Sequence, residues 1–341
     1  MSKKKLARGT LLLKNDVASI NYAARIIRRG GTVAFPTETV YGLGASALDP
    51  AAIEKVFQAK GRPTDNPLIV HIENSAALAS VASFVPDMAY LLAEHFWPGP
   101  LSLVLLKSDF IPPAVCAGLS TVAVRVPDNH IALDLIRASA VPIAAPSANR
   151  SGRPSPTSWK HVLKDLAGSI DAVIRSPGCV IGVESTVLDL TSHDPVILRP
   201  GGVTREELEQ VLSQKVAVAG ASSDSETPLS PGTKYRHYTP EVPLILVTGS
   251  GVKVLKVVKA LRQKYETRGL KIAVLEASLT AARFGRPADV KALASGLYGS
   301  LRSLENSGVD LIIAAAVKPR GIGMAVMNRL YKAADRVIKV C

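Results

Sequence analysis

Polar side chains of this 341-residue chain gather in short runs beside apolar segments, and their types suit the handling of anions. Phe35-Pro-Thr-Glu-Thr-Val-Tyr-Gly-Leu-Gly44 carries four hydrogen-bonding side chains within five residues. Lys60-Gly-Arg-Pro-Thr-Asp-Asn-Pro-Leu68 sets two cations two positions apart, with His71 just beyond. Arg125 interrupts the apolar Val122-Ala-Val-Arg-Val-Pro, where a charge without a partner would be costly. Ala145-Pro-Ser-Ala-Asn-Arg-Ser-Gly152 is rich in small donors. Gly182-Val-Glu-Ser-Thr-Val187 and Leu198-Arg-Pro-Gly-Gly202 add a hydroxyl pair and another arginine. Each run has a structural reading of its own: Thr37 or Thr39 capping a helix, Asn149 holding a turn, Arg125 paired with an aspartate. Several such runs in one domain point to a ligand instead, because strand ends of α/β sheets are where ligands lie. Lys60, Arg62, Arg125 and Arg199 suit a substrate with several negative groups.

These runs need a scaffold. Residues 17–30 have helical spacing (Val17, Ile20, Ala23, Ala24, Ile27) and end at Gly30-Gly31, before the β-rich Thr32-Val33-Ala34-Phe35. Ala51 to Ala59 reads as a short helix running into the Lys60 loop. Buried strands are expected at 69–72, 101–106, 122–126, 141–145, 187–190 and 196–198, with helices near 87–96, 129–139 and 158–167. The pattern is that of one large mixed α/β domain ending near Gly201-Gly202. Composition changes from about Val218 to Val242, where Gly220-Ala-Ser-Ser-Asp-Ser-Glu-Thr-Pro has linker chemistry and Pro231-Gly232 marks a turn. Beyond it, strands at 244–247, 272–275 and 309–315 alternate with helices at 252–267, 288–305 and 323–336. Such alternation implies right-handed β-α-β crossovers and a small parallel sheet.

Several function classes fall away. No apolar run reaches the roughly 18–20 residues of a membrane span. Leu11-Leu12-Leu13, behind the basic Met1-Ser2-Lys3-Lys4-Lys5, is too short for a signal-peptide core. A cytoplasmic protein without membrane contact is expected. Cys116, Cys179 and Cys341 lie far apart with no C-x-x-C, so neither a disulfide framework nor a Cys-rich zinc site is expected, and the thiols read as buried or idle. The histidines are scattered, with no H-E-x-x-H. No G-x-x-x-x-G-K-[ST] occurs, so nucleotide binding cannot rest on a P-loop, and Gly249-Ser250-Gly251 lacks the third glycine of a dinucleotide turn. The net charge of +13 is uneven: residues 241–341 hold 17 Lys/Arg against 7 Asp/Glu. That balance fits a polyanionic partner and equally a solvated basic surface.

Phe35-Pro-Thr-Glu-Thr-Val-Tyr-Gly-Leu-Gly44, Lys60-Gly-Arg62, Trp97-Pro-Gly-Pro-Leu-Ser102, Ala145-Pro-Ser-Ala-Asn149 and Glu184-Ser-Thr186 occur in this order. Together they resemble the YrdC-domain family over about residues 10–205, and the remainder looks like the long, two-domain form of threonylcarbamoyl-AMP synthase. Ser102 stands where threonine is common. The resemblance implies a large mixed-sheet α/β domain with a concave active site at 10–217. It also implies a linker folding over that site at 218–242, and a smaller Rossmann-like three-layer α/β domain with a parallel sheet at 243–341.

It further implies synthesis of L-threonylcarbamoyl-AMP and pyrophosphate from L-threonine, bicarbonate or carbon dioxide, and ATP, with magnesium as the phosphates' counter-ion and no dedicated metal site. By matching motif positions, ATP would meet Arg62, Asn66, Thr121, Ser147, Asn149, Ser155, Arg199 and, from the linker, Tyr238. L-Threonine would meet Thr39, His71, Arg125, the backbone of Ala145, and Ser185. Lys60 and Arg62 would carry the catalytic positive charge. The product would pass to a threonylcarbamoyl transferase complex that modifies tRNA, with tRNA itself a further possible contact. Two other readings stand beside this one. A double-stranded RNA or tRNA-binding module without adenylation activity would not need Arg125 and Ser185 buried at strand ends. A carbamoyl-transfer enzyme of hydrogenase maturation would be longer and carry zinc-finger cysteines.

Overall fold

A computed structural model describes residues 4–5, 9–220, 238–249, 251–275 and 290–340. Cys341, the linker residues 221–237 and the expected helix start at 288–289 lie outside the described residues. The chain divides into two compact units. One is Met1–Ser151, Ser155–Val180 and Glu184–Lys234; the other is Gly152–Pro154, Ile181–Val183 and Tyr235–Cys341.

In the first unit the elements run β1 (Lys4–Lys5), β2 (Leu11–Leu13), α1 (Val17–Arg28), β3 (Val33–Phe35), β4 (Gly42–Ser46), α2 (Pro50–Lys60) and β5 (Ile69–His71). They continue with β6 (Ala82–Phe84), α3 (Asp87–Phe96), β7 (Leu101–Lys107), α4 (Pro113–Cys116), β8 (Thr121–Arg125), α5 (His130–Ser139) and β9 (Ile143–Ala144). Last come α6 (Trp159–Leu166), β10 (Ala172–Ile174), β11 (Thr186–Asp189), β12 (Val196–Arg199), α7 (Arg205–Leu212) and β13 (Ala217–Val218). Caps mark the helix starts: Asp16, Asp49, Asn129 and Ser158 each accept a backbone N–H of the first turn. Ile20, Ala23, Ala24 and Ile27 form the buried stripe of α1, which packs with Ile131, Leu135 and Ile136 of α5.

The strands join in one mixed sheet in the order β1-β2-β10-β3-β4-β9-β5-β8-β7-β11-β12-β13, with β6 beside β7. Its centre pairs β5 parallel to β8, and β8 antiparallel to β7. β4 has no counterpart in the expected strands, since Gly42-Leu-Gly-Ala-Ser has little strand propensity. It is held between β3 and β9 because Gly44 has no side chain: a Cβ there would come within 2.6 Å of Ile143 Cγ2 and 2.7 Å of the Phe35 ring.

The second unit has β14 (Leu244–Gly249), α8 (Gly251–Glu266), β15 (Ile272–Leu275), α9 (Val290–Glu305), β16 (Leu311–Ala315), α10 (Ile322–Ala333) and β17 (Arg336–Val340). All its strand pairs are parallel, in the order β15-β16-β14-β17. Ile245 and Val247 pack with Val254 and Val258 of α8. Leu244 and Leu246, on the opposite face by alternation, are equally buried, as in a sheet covered on both sides. The helix expected to reach 336 stops at Ala333. The Asp335 carboxylate accepts the Leu244 N–H at 2.8 Å, which starts β17 alongside β14 instead. The pieces Gly152–Pro154 and Ile181–Val183 are held within this unit. Arg153 pairs with Glu241 and Glu305, both at 2.8 Å, and Arg302 donates to the Pro154 carbonyl.

Candidate active site

The loop between β3 and β4 is knitted by two hydroxyls. Thr37 Oγ1 donates to the Val40 carbonyl at 2.6 Å and accepts the Thr39 and Val40 N–H groups, each at 3.2 Å. Its one proton is thereby committed, so the 2.8 Å contact with Thr39 Oγ1 has Thr39 as donor. Arg125, at the end of β8, reaches this loop and is 4% exposed. Its Nη1 donates to Thr39 Oγ1 at 3.1 Å, its Nη2 to Glu38 Oε1 at 2.6 Å, and its Nε to the Gly99 carbonyl at 3.1 Å. The partner of Arg125 is thus a glutamate, not the aspartate of the structural reading. Glu38 is 7% exposed, and its Oε2 is buried without a hydrogen-bond partner.

His71 is the register partner of Arg125 across β5 and β8. Its Nδ1–H donates to the Ile69 carbonyl at 3.1 Å, and its ring stands edge-on to Phe35. Burial, then the Arg125 charge, lowers it to about 3, so the imidazole is neutral. Ala145 closes the group, its N–H donating to Ile69 O at 2.9 Å. Cys179 lies half-buried near Thr37 and Glu38; burial pushes its thiol up to about 12, which disqualifies it as a thiolate nucleophile.

A second group surrounds the turn 145–149, which is tied to the Thr37 loop by Leu43 N–H to Pro146 O and Ala148 N–H to Tyr41 O. Lys60 is buried and donates to the Ser147 and Asn149 carbonyls, each at 2.5 Å. Ser147 Oγ donates to Asn149 Oδ1 at 2.5 Å. Arg62 bonds Asn66 through its carbonyl (3.1 Å) and Oδ1 (2.6 Å), and the Asn66 Nδ2 is buried without a partner.

A third group lies at β11 and β12. Arg199 donates to the Ser185 carbonyl at 2.9 Å and to its Oγ at 3.2 Å, while Ser102 and Ser185 share a 2.8 Å hydroxyl pair. Ser155 Oγ donates to Glu184 Oε1 at 2.6 Å. This close return needs Gly201, where a Cβ would overlap the backbone of Glu184, Ser185 and Thr186.

Thr39, His71, Arg125 and Ala145 are therefore brought together, as are Lys60, Ser147 and Asn149, Arg62 with Asn66, and Ser185 with Arg199. Thr121 begins β8, four residues and roughly 13 Å from Arg125 by strand rise. Tyr238 belongs to the second unit, where it stacks on Tyr298 at 5.4 Å beneath the Arg329 guanidinium. Sequence reading assigned no role to Glu38, Glu184 or Ser102. Glu38 had one signal available, as the lone carboxylate in a run that had to meet a lone buried arginine. No group of three or more His, Cys, Asp or Glu able to hold a metal occurs among the described residues.

The fold and this geometry define a class: α/β proteins that gather buried arginines and hydroxyls at the strand ends of a mixed sheet. The chain belongs to the Sua5–YciO–YrdC family, whose model, described as "Telomere recombination", matches residues 25–201. Residues 203–335 match a second model, described as "Threonylcarbamoyl-AMP synthase, C-terminal domain". The chain is 49% identical to the threonylcarbamoyl-AMP synthase of Pyrococcus abyssi, over 94% of this chain and 96% of that one. It is 46% identical to the enzyme of the same name from Bacillus subtilis, over 96% of each. Its structure matches the crystal structure of P. abyssi Sua5 complexed with L-threonine with a TM-score of 0.91 and 45% identity, over 97% of this chain and 100% of that one.

Proposed function

We propose that this chain is an L-threonylcarbamoyladenylate synthase. It joins L-threonine, bicarbonate or carbon dioxide, and ATP into L-threonylcarbamoyl-AMP, releasing pyrophosphate. The observation that carries the reading is its likeness, along nearly its whole length, to P. abyssi Sua5 complexed with L-threonine. The threonine amine is first carboxylated to a carbamate. A carbamate oxygen then attacks the α-phosphorus of ATP as the bond to pyrophosphate breaks. Both reactants are anions, so catalysis rests on positioning and fixed positive charge.

Arg125 offers a planar fork to the threonine carboxylate, steadied by Thr39. Neutral His71, the Ala145 carbonyl and Ser185 offer acceptors and donors to the hydroxyl and amine. Arg62, Asn66, Thr121, Ser147, Asn149, Ser155, Arg199 and Tyr238 serve ATP, with Lys60 and Arg62 countering charge on the departing phosphates. The buried, unpartnered Asn66 Nδ2 supports a ligand acceptor beside Arg62. Magnesium comes with ATP as part of that substrate. The product is a reactive mixed anhydride, handed in the cytoplasm to a threonylcarbamoyl transferase complex for modification of tRNA next to the anticodon. The basic residues 241–341 suit contact with tRNA or an acidic partner. Incubation with ATP, bicarbonate and L-threonine should yield threonylcarbamoyl-AMP by mass spectrometry, with threonine-dependent release of pyrophosphate. Binding of double-stranded RNA without any adenylate would instead make the chain a binding module.

A further inference from the structure

Resting on that reading, we propose that Glu38 receives the α-ammonium group of L-threonine and takes its proton when the amine is carboxylated. One oxygen of this buried carboxylate is bound to Arg125 at 2.6 Å, and the other has no hydrogen-bond partner. A buried acceptor without a donor is costly and rare. Its neighbours cannot supply the donor, because the Thr37 proton goes to Val40 O and the Thr39 proton to Thr37. A ligand can. An α-amino acid carries its two opposite charges on groups separated by a single carbon. Arg125 and Glu38 present the two complementary charges side by side, 2.6 Å apart. Their burial makes each contact with the zwitterion stronger than it would be in water.

The chemistry needs such a group. Protonated threonine has no lone pair on nitrogen, so a base must accept a proton before the amine can attack. The titratable groups around Glu38 do not serve. Arg125 is a cation, His71 is a weak base held near 3, and the Cys179 thiol, pushed up to about 12, already holds its proton. The ammonium N–H bond breaks, its proton bonds to Glu38 Oε2, and the freed lone pair bonds the bicarbonate carbon. The carbon–hydroxyl bond then breaks, and the second amine proton leaves with the hydroxide as water. One ammonium, one bicarbonate and one carboxylate become one carbamate, one water and one carboxylic acid. The acid returns its proton to solvent before the next turnover.

Glu38→Gln keeps an acceptor for Arg125 but cannot take a proton. At neutral pH its turnover should fall on the order of 100-fold, the lower range for loss of a general base, with the KM for ATP little changed. Turnover should recover as rising pH supplies threonine with a free amine. A wild-type rate, or a loss with an unchanged pH profile, would overturn the proton role. A second measurement needs no variant. Wild-type protein, titrated by calorimetry, should bind 2,3-dihydroxybutyrate, in which a hydroxyl replaces the ammonium, at least tenfold more weakly than L-threonine. Equal affinity would overturn the ammonium site even if Glu38→Gln does not fold. Failure of wild-type protein to make the adenylate would count against the proposed function, whereas the binding comparison judges the ammonium site without turnover.

Discussion

Burial, and after it the charge of Arg125, holds His71 near 3 from an ordinary 6.5. In the unfolded chain the ring takes up a proton below about 6.5, while the folded protein keeps it neutral. The unfolded state then binds more protons, so stability is intact above about pH 6.5 and is lost as the pH falls toward about 3. One such group contributes a slope of at most about 1.4 kcal/mol per pH unit. His71→Asn should flatten the acid limb of stability against pH, followed by urea unfolding at a series of pH values. An acid limb as steep as that of the wild type would place the sensitivity in other residues. Arg125 was legible as a lone charge in an apolar strand, because burial demands a partner. The identity of that partner was not, since Glu38 is separated from it by 87 residues and only the sheet brings them together.

At the scale of elements, the helix α2 ends in Lys60, whose ammonium bridges two carbonyls of the 147–149 turn. Lys60→Met keeps most of the side-chain volume and removes the charge. The loss of charge-assisted hydrogen bonds should cost roughly 1.5–3 kcal/mol, read as a lower urea midpoint, and turnover of the folded fraction should fall with it. An unmoved midpoint would show that the bridge contributes nothing to stability. Helices such as α1 and α5 could be read within a residue or two, because apolar spacing and a capping Asp or Asn mark them. β4 could not, because its glycines are selected by the close approach of Phe35 and Ile143 rather than by strand propensity. The end of α10 was overrun for a related reason: what stops it is the long-range Asp335 bond to Leu244, which local periodicity does not encode.

For the whole molecule, the separation of a large mixed sheet from a small parallel one followed from the change in composition and the later strand–helix alternation. The discontinuity of the second unit did not, because Gly152–Pro154 and Ile181–Val183 carry no compositional mark. Removing residues 231–341 takes away Glu241, Arg302 and Glu305, the partners of Arg153 and Pro154. These pieces adjoin Ser155 and Glu184 in sequence. The truncated protein should therefore still bind L-threonine by calorimetry, yet release pyrophosphate roughly 100-fold more slowly, the scale of a misplaced site. Equal rates would make the second unit dispensable to the chemistry. The same discontinuity sets a clock on biosynthesis. Pro154 precedes Arg302 by 148 residues, and at roughly 5–20 residues per second that is a wait of roughly 7–30 s on the ribosome. Until the last third of the chain has emerged, Arg153 and Pro154 have none of their partners Glu241, Arg302 and Glu305, so the nascent chain passes through an interval in which its first sheet can form while these early pieces of the second unit still wait for the rest of it.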